Sequence, residues 1–252
     1  PAPSVAINPV VNGSYPVVAA FDVEGSIVDS NVVEAYLWLR MAEAGGAGRA
    51  REVAAVAAKV PSLLNAERRD RGEFLRLFYR QYVDASASDL RALAASTLPD
   101  LFLRRLSAAA VRRIRKHRDA GHTIVFITGA LDFIIEPIAG LADVVVTARL
   151  QERGGRFTGD MDRPPLVGEA RASWLRDYAR ANNVDLEGSY AYADSMSDLP
   201  LLEAVGNPVA VNPDVALARV ARKQRWPVEE WSAGKGAPKI LLPQPMTEPV
   251  NA

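Results

Sequence analysis

The sequence predicts an α/β fold: a doubly wound parallel β-sheet with an all-helical segment inserted after the first strand. Five short apolar runs are continuous rather than alternating, as expected of strands that are covered on both faces. Segments of helical periodicity fill most intervals between them, which is typical of strands and helices that alternate in an α/β domain. The predicted strands are Val17–Phe21, Thr123–Thr128, Val144–Thr147, Tyr190–Ala193 and Val209–Val211.

The interval between the first two predicted strands contains no strand pattern. Asn31 can cap a helix, because Glu34 follows three residues later as in a capping box. Glu67–Val83 carries aromatic and leucine side chains at helical spacing. We therefore expect residues 31–110 to form a helical cap domain above the sheet.

The second half of the chain completes the predicted core domain. Ala170–Ala181 has the periodicity of a helix. Leu150–Thr158 interrupts the alternation of strands and helices, and its two adjacent glycines predict a small β-hairpin. We expect the core domain to comprise residues 16–30 and 111–232.

Both ends of the chain have a composition that predicts flexible tails. Residues 1–15 are rich in proline, asparagine and serine, and residues 233–252 contain four prolines. Such tails could join the chain to a fused or partner domain.

The overall composition excludes several classes of protein. Thirty basic residues balance thirty acidic ones among the 252 residues, which disfavours nucleic acid as the partner. The absence of cysteine excludes disulfides, thiolate metal ligands and cysteine nucleophiles. No apolar stretch reaches the ~18 residues that an integral membrane segment needs, and the first residues lack the pattern of a signal peptide. We therefore expect a cytoplasmic protein.

Polar residues follow the predicted strands at the carboxyl edge, where an open parallel sheet binds ligands. Asp22 and Glu24 follow the first strand, two residues apart, so both can project toward one site. Thr128 and Gly129 follow the second strand. A hydroxyl followed by exposed backbone amides at a strand-to-helix turn suits a phosphate oxygen.

A second acidic pair, Asp194 and Asp198, follows the fourth predicted strand. Two carboxylates at a strand end suit a hard cation, which prefers oxygen ligands. Arg171 supplies a basic residue between Thr128 and this pair. Each motif alone also fits an ordinary strand end or helix cap. Together they follow the order of a nucleophile, a phosphate-binding hydroxyl, a basic residue and metal-binding carboxylates.

Four motifs in this sequence resemble those of the haloacid dehalogenase phosphatases. They read FDVEGS, FITGA, GEAR and AYADSMSDLPLLEAVGNPVAVNPD, and the segment GRFTGDMDRPPLVGE is also similar to the phosphoserine phosphatase-like subgroup. The resemblance covers about residues 16–231. It implies a Rossmann-like core with a helical cap, Mg²⁺ as the cofactor and a small-molecule phosphate ester as the substrate.

The resemblance also implies a role for each candidate residue in the first two motifs. Asp22 attacks phosphorus and forms an aspartyl-phosphate. Glu24 protonates the leaving oxygen and later activates water as the general acid/base. Thr128 and the Gly129 amide bind phosphoryl oxygens.

The remaining implied roles concern charge neutralisation. Arg171 neutralises the phosphoryl group. Mg²⁺ is bound by the Asp22 side chain, the Glu24 backbone carbonyl and Asp194, and Asp198 supports the metal directly or through water.

Three positions depart from the family pattern. Glu24 stands where the family has aspartate, and Arg171 stands where it has lysine. Asn31 stands where phosphoserine phosphatases have a glutamate that helps to bind the substrate amine. The carboxyl group of Glu24 lies one methylene further out, and a misplacement of ~1 Å can lower a rate by about 10²-fold.

These departures leave more than one function open. The chain is expected to be a Mg²⁺-dependent phosphatase. The alternatives are a catalytically impaired phosphate-binding or interaction module, and phosphoryl transfer to an acceptor other than water. The aromatic residues of the cap are expected to form mainly its core, and a few could line a pocket for a less polar phosphate ester: Trp38, Phe74, Phe78, Tyr79 and Tyr82.

Overall fold

The computed structural model describes residues 15–42, 51, 54, 55, 58, 59 and 70–232. The tails predicted at 1–15 and 233–252 lie outside the described residues, except for Tyr15. The beginning of the helix predicted over Glu67–Val83 also lies outside them, since that segment is described from Asp70 onwards.

The strands of the described residues confirm the five predicted ones and the two of the predicted hairpin, and they add β8. They are β1 (Val18–Phe21), β2 (Thr123–Leu131), β3 (Val144–Ala148), β4 (Leu150–Arg153), β5 (Arg156–Met161), β6 (Tyr190–Ala193), β7 (Asn207–Val211) and β8 (Val228–Glu229). A parallel sheet has the strand order β3-β2-β1-β6-β7-β8. The antiparallel pair β4-β5 is the predicted hairpin.

The helices of the described residues lie between these strands. They are α1 (Val32–Ala42), α2 (Arg71–Tyr79), α3 (Ala87–Arg105), α4 (Ala108–Asp119), α5 (Asp132–Ala139), α6 (Glu169–Asn182), α7 (Leu199–Glu203) and α8 (Val215–Gln224). Single 3₁₀ turns follow α2 at Arg80–Tyr82 and precede α7 at Met196–Asp198. Among these helices, none combines the length and apolar character that crossing a bilayer requires.

Helical layers cover both faces of the sheet, because successive residues of a strand point to opposite faces. In β1, Ala19 and Phe21 belong to the core cluster that includes residues of α4 and α5. Val18 and Ala20 belong to a second cluster that includes residues of α6, α7 and α8. All four side chains are fully buried. The predicted doubly wound α/β architecture is therefore confirmed.

The described residues between β1 and β2 are largely helical, as the sequence predicts. Asn31 Oδ1 accepts hydrogen bonds from the backbone amides of Val33 and Glu34, both at 3.0 Å, and this caps α1 as expected. Asp70 Oδ1 likewise accepts from the Glu73 amide and caps α2. The limits of a cap domain at residues 31 and 110 stay a prediction.

An aromatic cluster fills the interior of this helical segment. The Tyr36 ring packs edge-on against Phe78 and Tyr82, with ring centroids 5.5 and 5.1 Å apart. Phe133 of α5 packs against Tyr82 at 6.0 Å, so the cluster continues into the core beside the sheet. The aromatic residues singled out in the sequence are all buried, as expected: Trp38, Phe74, Phe78, Tyr79 and Tyr82.

The β4-β5 hairpin joins the helical segment to the core. The Asp84 amide donates to the Phe157 carbonyl at 2.9 Å, and the Phe157 amide donates to the Ala85 carbonyl at 3.0 Å. These bonds connect the chain after α2 to the hairpin. The described part of the helical segment is therefore attached to the hairpin through its backbone.

Candidate active site

Three adjacent strands bring the candidate residues to one edge of the sheet. Asp22 follows β1, Thr128 lies near the end of β2, and Asp194 follows β6. Because β1 pairs with both β2 and β6, these strand ends are neighbours. The Asp22 amide donates to the Tyr192 carbonyl at 2.9 Å, which extends the pairing of β1 and β6 up to the site.

The structure corrects one expectation about Gly129. Strand β2 continues to Leu131, so Gly129 lies within the strand rather than in an exposed turn after it. The pairing of β2 with β3 is irregular between Ile127 and Leu131. The segment from Thr128 to Leu131 is buried, and Leu75 of α2 and Val167 lie beside Gly129.

A polar cleft of about 430 Å³ opens at this edge of the sheet. Most of the candidate residues line it, and Thr128 is buried behind Glu24. No aromatic residue is found among the described lining residues, so the cleft does not have the aromatic pocket considered from the sequence. The lining residues are Asp22, Glu24, Gly25, Asp29, Ser30, Asn31, Glu34, Arg71, Arg171, Asp194, Ser195, Ser197, Asp198, Asn212 and Asp214.

Three carboxylates crowd together in the cleft. Asp22, Asp194 and Asp198 each offer an oxygen atom, and these atoms lie within 4.8 Å of one another. A set of carboxylate oxygens at this spacing suits a hard divalent cation such as Mg²⁺. The candidate residues therefore fit a metal site, and the side chain of Glu24 lies outside this cluster.

The pKa values of the three carboxyl groups are raised. Burial, followed by the charges of Asp22 and Asp198, raises the pKa of Asp194 to about 8. Burial raises the pKa of Asp198 to about 7 and that of Asp22 to about 6, although the charge of Arg171 opposes both shifts. Ionising all three carboxyl groups is therefore unfavourable unless a further cation offsets their charge.

Arg171 bridges two of these carboxylates from the first turn of α6. Its Nη1 atom lies 2.5 Å from Asp22 Oδ1 and 2.5 Å from Asp198 Oδ1. Its Nε atom donates to the Leu166 carbonyl at 2.9 Å, which fixes the plane of the guanidinium. Burial alone would lower the pKa of Arg171, but the charges of Asp198 and Asp22 outweigh burial and raise it. Arg171 is therefore a fixed cation at the base of the cleft.

Thr128 and Glu24 form a direct hydrogen bond through their side chains. Thr128 Oγ1 donates to Glu24 Oε2 at 2.6 Å and accepts from the Ala130 amide at 3.0 Å. Glu24 Oε1 is buried and has no hydrogen-bond partner in the described part of the chain. The hydroxyl expected to bind a phosphoryl oxygen is thus engaged by the carboxylate expected to transfer the proton.

The loop that carries Glu24 is held close to Asp194. Gly25 has a φ of +79°, and a Cβ atom there would lie 2.0 Å from Asp194 Oδ2. Asn212 Nδ2 donates to the Gly25 carbonyl at 3.1 Å. Only glycine allows this approach, because any side chain would enter the space of the Asp194 carboxylate.

Several residues of the site were missed in the sequence. Asp214 Oδ2 accepts from the Met196 amide at 2.8 Å, and the Asp214 amide donates to the Asp194 carbonyl at 2.8 Å. Asp214 and Asn212 follow β7, so the rule applied to the other strand ends would have found them. Arg71 reaches the cleft from α2, for which the strand-end rule gives no signal.

Comparison with known proteins identifies the same family over most of the chain. The family of haloacid dehalogenase-like hydrolases matches residues 19–203. A Streptomyces azureus protein named inhibition of morphological differentiation protein is 36% identical over 57% of this chain and 52% of its own length. A histidinol-phosphatase from Neisseria meningitidis is 28% identical over 62% of this chain and 72% of its own length. The chain spans about half the length of the first of these relatives.

Solved structures share the fold at lower identity. A Bordetella pertussis protein of unknown function superposes with a TM-score of 0.71 and 24% identity over 86% of this chain and 99% of that one. A phosphoserine phosphatase in its apo form superposes with a TM-score of 0.63 and 18% identity over 86% of this chain and 94% of that one. These structures show the shared fold, and the family match over residues 19–203 shows that the chain belongs to the haloacid dehalogenase-like hydrolase family.

Proposed function

We propose that the chain is a Mg²⁺-dependent phosphatase that hydrolyses a small phosphate monoester through an aspartyl-phosphate on Asp22. The observation that carries this proposal is the position of Asp22. Its buried carboxylate lies against the Arg171 guanidinium, within the carboxylate cluster that fits a cation. A nucleophilic carboxylate can approach a phosphate dianion only if cations offset their repulsion.

The first half of the proposed reaction uses Asp22 and Glu24. An Asp22 oxygen forms a bond to phosphorus while the bond from phosphorus to the ester oxygen breaks. The leaving oxygen takes a proton from the Glu24 carboxyl group. Arg171 stabilises the negative charge on the phosphoryl oxygens. Mg²⁺, when bound by Asp22, Asp194, the Glu24 carbonyl and Asp198, offsets the charge of the carboxylates and the phosphoryl group.

The second half regenerates the free carboxylate of Asp22. Water attacks phosphorus, its proton passes to the Glu24 carboxylate, and the bond between Asp22 and phosphorus breaks to release phosphate. In this proposal the Thr128 hydroxyl keeps its 2.6 Å hydrogen bond to Glu24 and orients the acid/base carboxylate, while Arg171 binds the phosphoryl oxygens.

The walls of the cleft favour a polar leaving group. Asp29, Asn31, Glu34 and Arg71 supply the outer lining, with no aromatic ring among the described lining residues. Burial raises the pKa of Glu34, and the nearby Arg105 opposes this shift. A polar ester of the general kind that a histidinol-phosphatase is named for therefore fits this cleft better than an aryl phosphate.

The second candidate function is a phosphate-binding module with impaired chemistry. Glu24 and Arg171 both depart from the family pattern. The 2.5 Å ion pair between Arg171 and Asp22 also favours this candidate, since an ion-paired carboxylate is a weaker nucleophile. Transfer of the phosphoryl group to an acceptor other than water is a third outcome of the same intermediate.

A panel of phosphate esters tests these candidates. Release of inorganic phosphate is measured with Mg²⁺ and with a chelator, for the native chain and for Asp22→Asn. The proposed function requires turnover that the chelator and Asp22→Asn both abolish. Binding of phosphate without turnover in a folded, Mg²⁺-loaded protein would support the module. Loss of ester without an equal release of phosphate would indicate transfer to another acceptor.

A further inference from the structure

Tyr79 connects the helical segment to the phosphate-binding strand. It is the last residue of α2, and its side chain is almost fully buried. Its hydroxyl donates to the Gly129 carbonyl at 2.6 Å. The contact joins the inserted segment to the residue next to Thr128.

A continuous chain of hydrogen bonds runs from Tyr79 to Glu24. The Gly129 carbonyl and the Ala130 amide belong to one peptide group, which is planar. The Tyr79 hydroxyl donates to the Gly129 carbonyl, and the Ala130 amide donates to Thr128 Oγ1 at 3.0 Å. Thr128 Oγ1 then donates to Glu24 Oε2 at 2.6 Å. Three hydrogen bonds therefore connect the Tyr79 hydroxyl with the Glu24 carboxylate.

The direction of each bond in this chain is defined. Burial raises the pKa of Tyr79 and the charge of Glu24 adds to this effect, so the Tyr79 hydroxyl keeps its proton and acts as the donor. The Ala130 amide is a donor only, and Thr128 Oγ1 must accept from it. The Thr128 hydrogen is then directed toward Glu24. Hydrogen bonds linked in this way strengthen one another in a buried setting.

Packing around Gly129 keeps this geometry in place. The Leu75 Cδ1 atom of α2 lies 2.8 Å from the position that a Cβ atom on Gly129 would occupy. Leu75 and Tyr79 are four residues apart in α2, so both side chains lie on the same face of the helix. The peptide between Gly129 and Ala130 is therefore held by contacts from one helix face.

We propose that Tyr79 is a positioning residue for Glu24, acting through the peptide between Gly129 and Ala130 and through the Thr128 hydroxyl. The proposal rests on the proposed function, in which Glu24 transfers the proton. It assigns the helical segment a part in orienting the acid/base residue. Tyr79 touches neither the substrate nor the reacting atoms.

The test is a double-mutant cycle between Tyr79→Phe and Glu24→Asp. The Glu24→Asp side chain is one methylene shorter, so its bond to Thr128 is lost and the Tyr79 hydroxyl has nothing to orient. We expect Tyr79→Phe to lower kcat about five- to tenfold in the native background, the factor that corresponds to one hydrogen bond, with KM little changed. In the Glu24→Asp background, Tyr79→Phe should change kcat by no more than about twofold. Smaller changes lie within the scatter that is found for additive substitutions.

Tyr82→Phe is the matched control, since Tyr82 is another buried tyrosine of the same segment and packs against Tyr36 and Phe133. It should leave kcat unchanged in both backgrounds. An equal loss from Tyr79→Phe in both backgrounds would overturn the proposal, because a purely structural role does not depend on Glu24.

The native chain, Tyr79→Phe, Glu24→Asp and the double variant are also unfolded with urea. This second measurement separates the proposal from the proposed function. Absence of turnover in the native chain would contradict the proposed function alone. The coupling between Tyr79 and Glu24 would then be measured from the free energies of unfolding of the four proteins. Non-additive changes for Tyr79→Phe and Glu24→Asp support the hydrogen-bond chain, and additive changes overturn it.

Discussion

The Thr128 hydroxyl donates a 2.6 Å hydrogen bond to Glu24 Oε2, so the candidate phosphate ligand and the candidate acid/base are bound to each other. The longer side chain of glutamate makes this contact from the loop after β1. Glu24 is therefore fitted to its surroundings, although the resembling family has aspartate at this position. The effect of the length of the Glu24 side chain can therefore be tested by substitution.

Shortening Glu24 should slow the reaction. Glu24→Asp moves the carboxyl group by ~1 Å and breaks the Thr128 contact, so kcat should fall by about 10²-fold. Glu24→Gln keeps the length but cannot transfer a proton, and should lower kcat by ~10²–10⁴-fold. Steady-state kinetics with the best ester of the panel measure both. A rise in kcat for Glu24→Asp would show instead that the native glutamate impairs the chemistry.

Removing Arg171, which bridges Asp22 and Asp198, should destabilise the fold and also lower the activity. Arg171→Ala leaves Asp22 and Asp198 buried without their cation, and loss of one member of a buried ion pair costs about 3–5 kcal/mol. Urea unfolding at neutral pH in the presence of chelator measures this loss. Arg180→Ala is the control, since the exposed pair of Arg180 and Asp177 should contribute at most about 1 kcal/mol. Equal losses for the two variants would contradict the assigned role of Arg171.

The carboxylate cluster should make stability depend on pH and on metal. The folded pKa values of Asp22, Asp198 and Asp194 are about 6, 7 and 8. These values lie above the ordinary aspartate value of about 3.9, so folding favours the protonated forms. Their contribution to stability is present below about pH 4 and is lost as the pH rises through the folded values. Without metal, the cluster's contribution should therefore decrease between pH 4 and pH 8.

Mg²⁺ should reverse this decrease, because it binds the ionised carboxylates. Urea unfolding at several pH values, with Mg²⁺ and with chelator, measures the effect. The stabilisation by Mg²⁺ should be larger at pH 8 than at pH 5, and Asp194→Asn should reduce it. An Mg²⁺ effect that does not change with pH, or that Asp194→Asn leaves intact, would show that the ion binds elsewhere.

Gly25 should tolerate no side chain, because an added Cβ atom would clash with Asp194 in addition to straining the backbone. Gly25→Ala places a methyl group where Asp194 Oδ2 lies, so Mg²⁺ affinity and turnover should both fall. Gly121→Ala is a matched control: Gly121 has a φ of +78°, and beyond its chain neighbours no atom of the described residues lies within 4 Å of the added carbon. It should cost only the left-handed backbone penalty of about 1–2 kcal/mol. Similar Mg²⁺ affinity in the two variants would contradict the close approach.

Much of the fold follows from patterns that can be read along the chain. The strands next to the site are continuous apolar runs because helices cover both faces, and Asp22 and Asp194 follow from the ends of β1 and β6. Strand β8 has two residues, which is too short for any periodicity to reveal. Asn212 and Asp214 follow the predicted fifth strand and were accessible to the same reasoning.

The remaining part of the site depends on tertiary packing. Arg71 and Tyr79 reach the core from α2, and the spacing of residues in a helix does not reveal which strand that helix will cover. The contact between Thr128 and Glu24 also depends on side-chain rotamers rather than on sequence spacing. The polar lining of the cleft likewise results from the orientation of the helical segment, which turns its aromatic residues inward.

The most direct test of the central claim is detection of a phosphoryl group on Asp22. The Mg²⁺-loaded protein is mixed with the best ester of the panel and quenched with borohydride, which reduces an aspartyl-phosphate. The peptide that contains residue 22 is then analysed by mass spectrometry, with chelator-treated protein and Asp22→Asn as controls. Reduction confined to Asp22, and dependent on both ester and Mg²⁺, is the expected result. Turnover of the ester with Asp22 unmodified, or with another residue modified, would contradict the account.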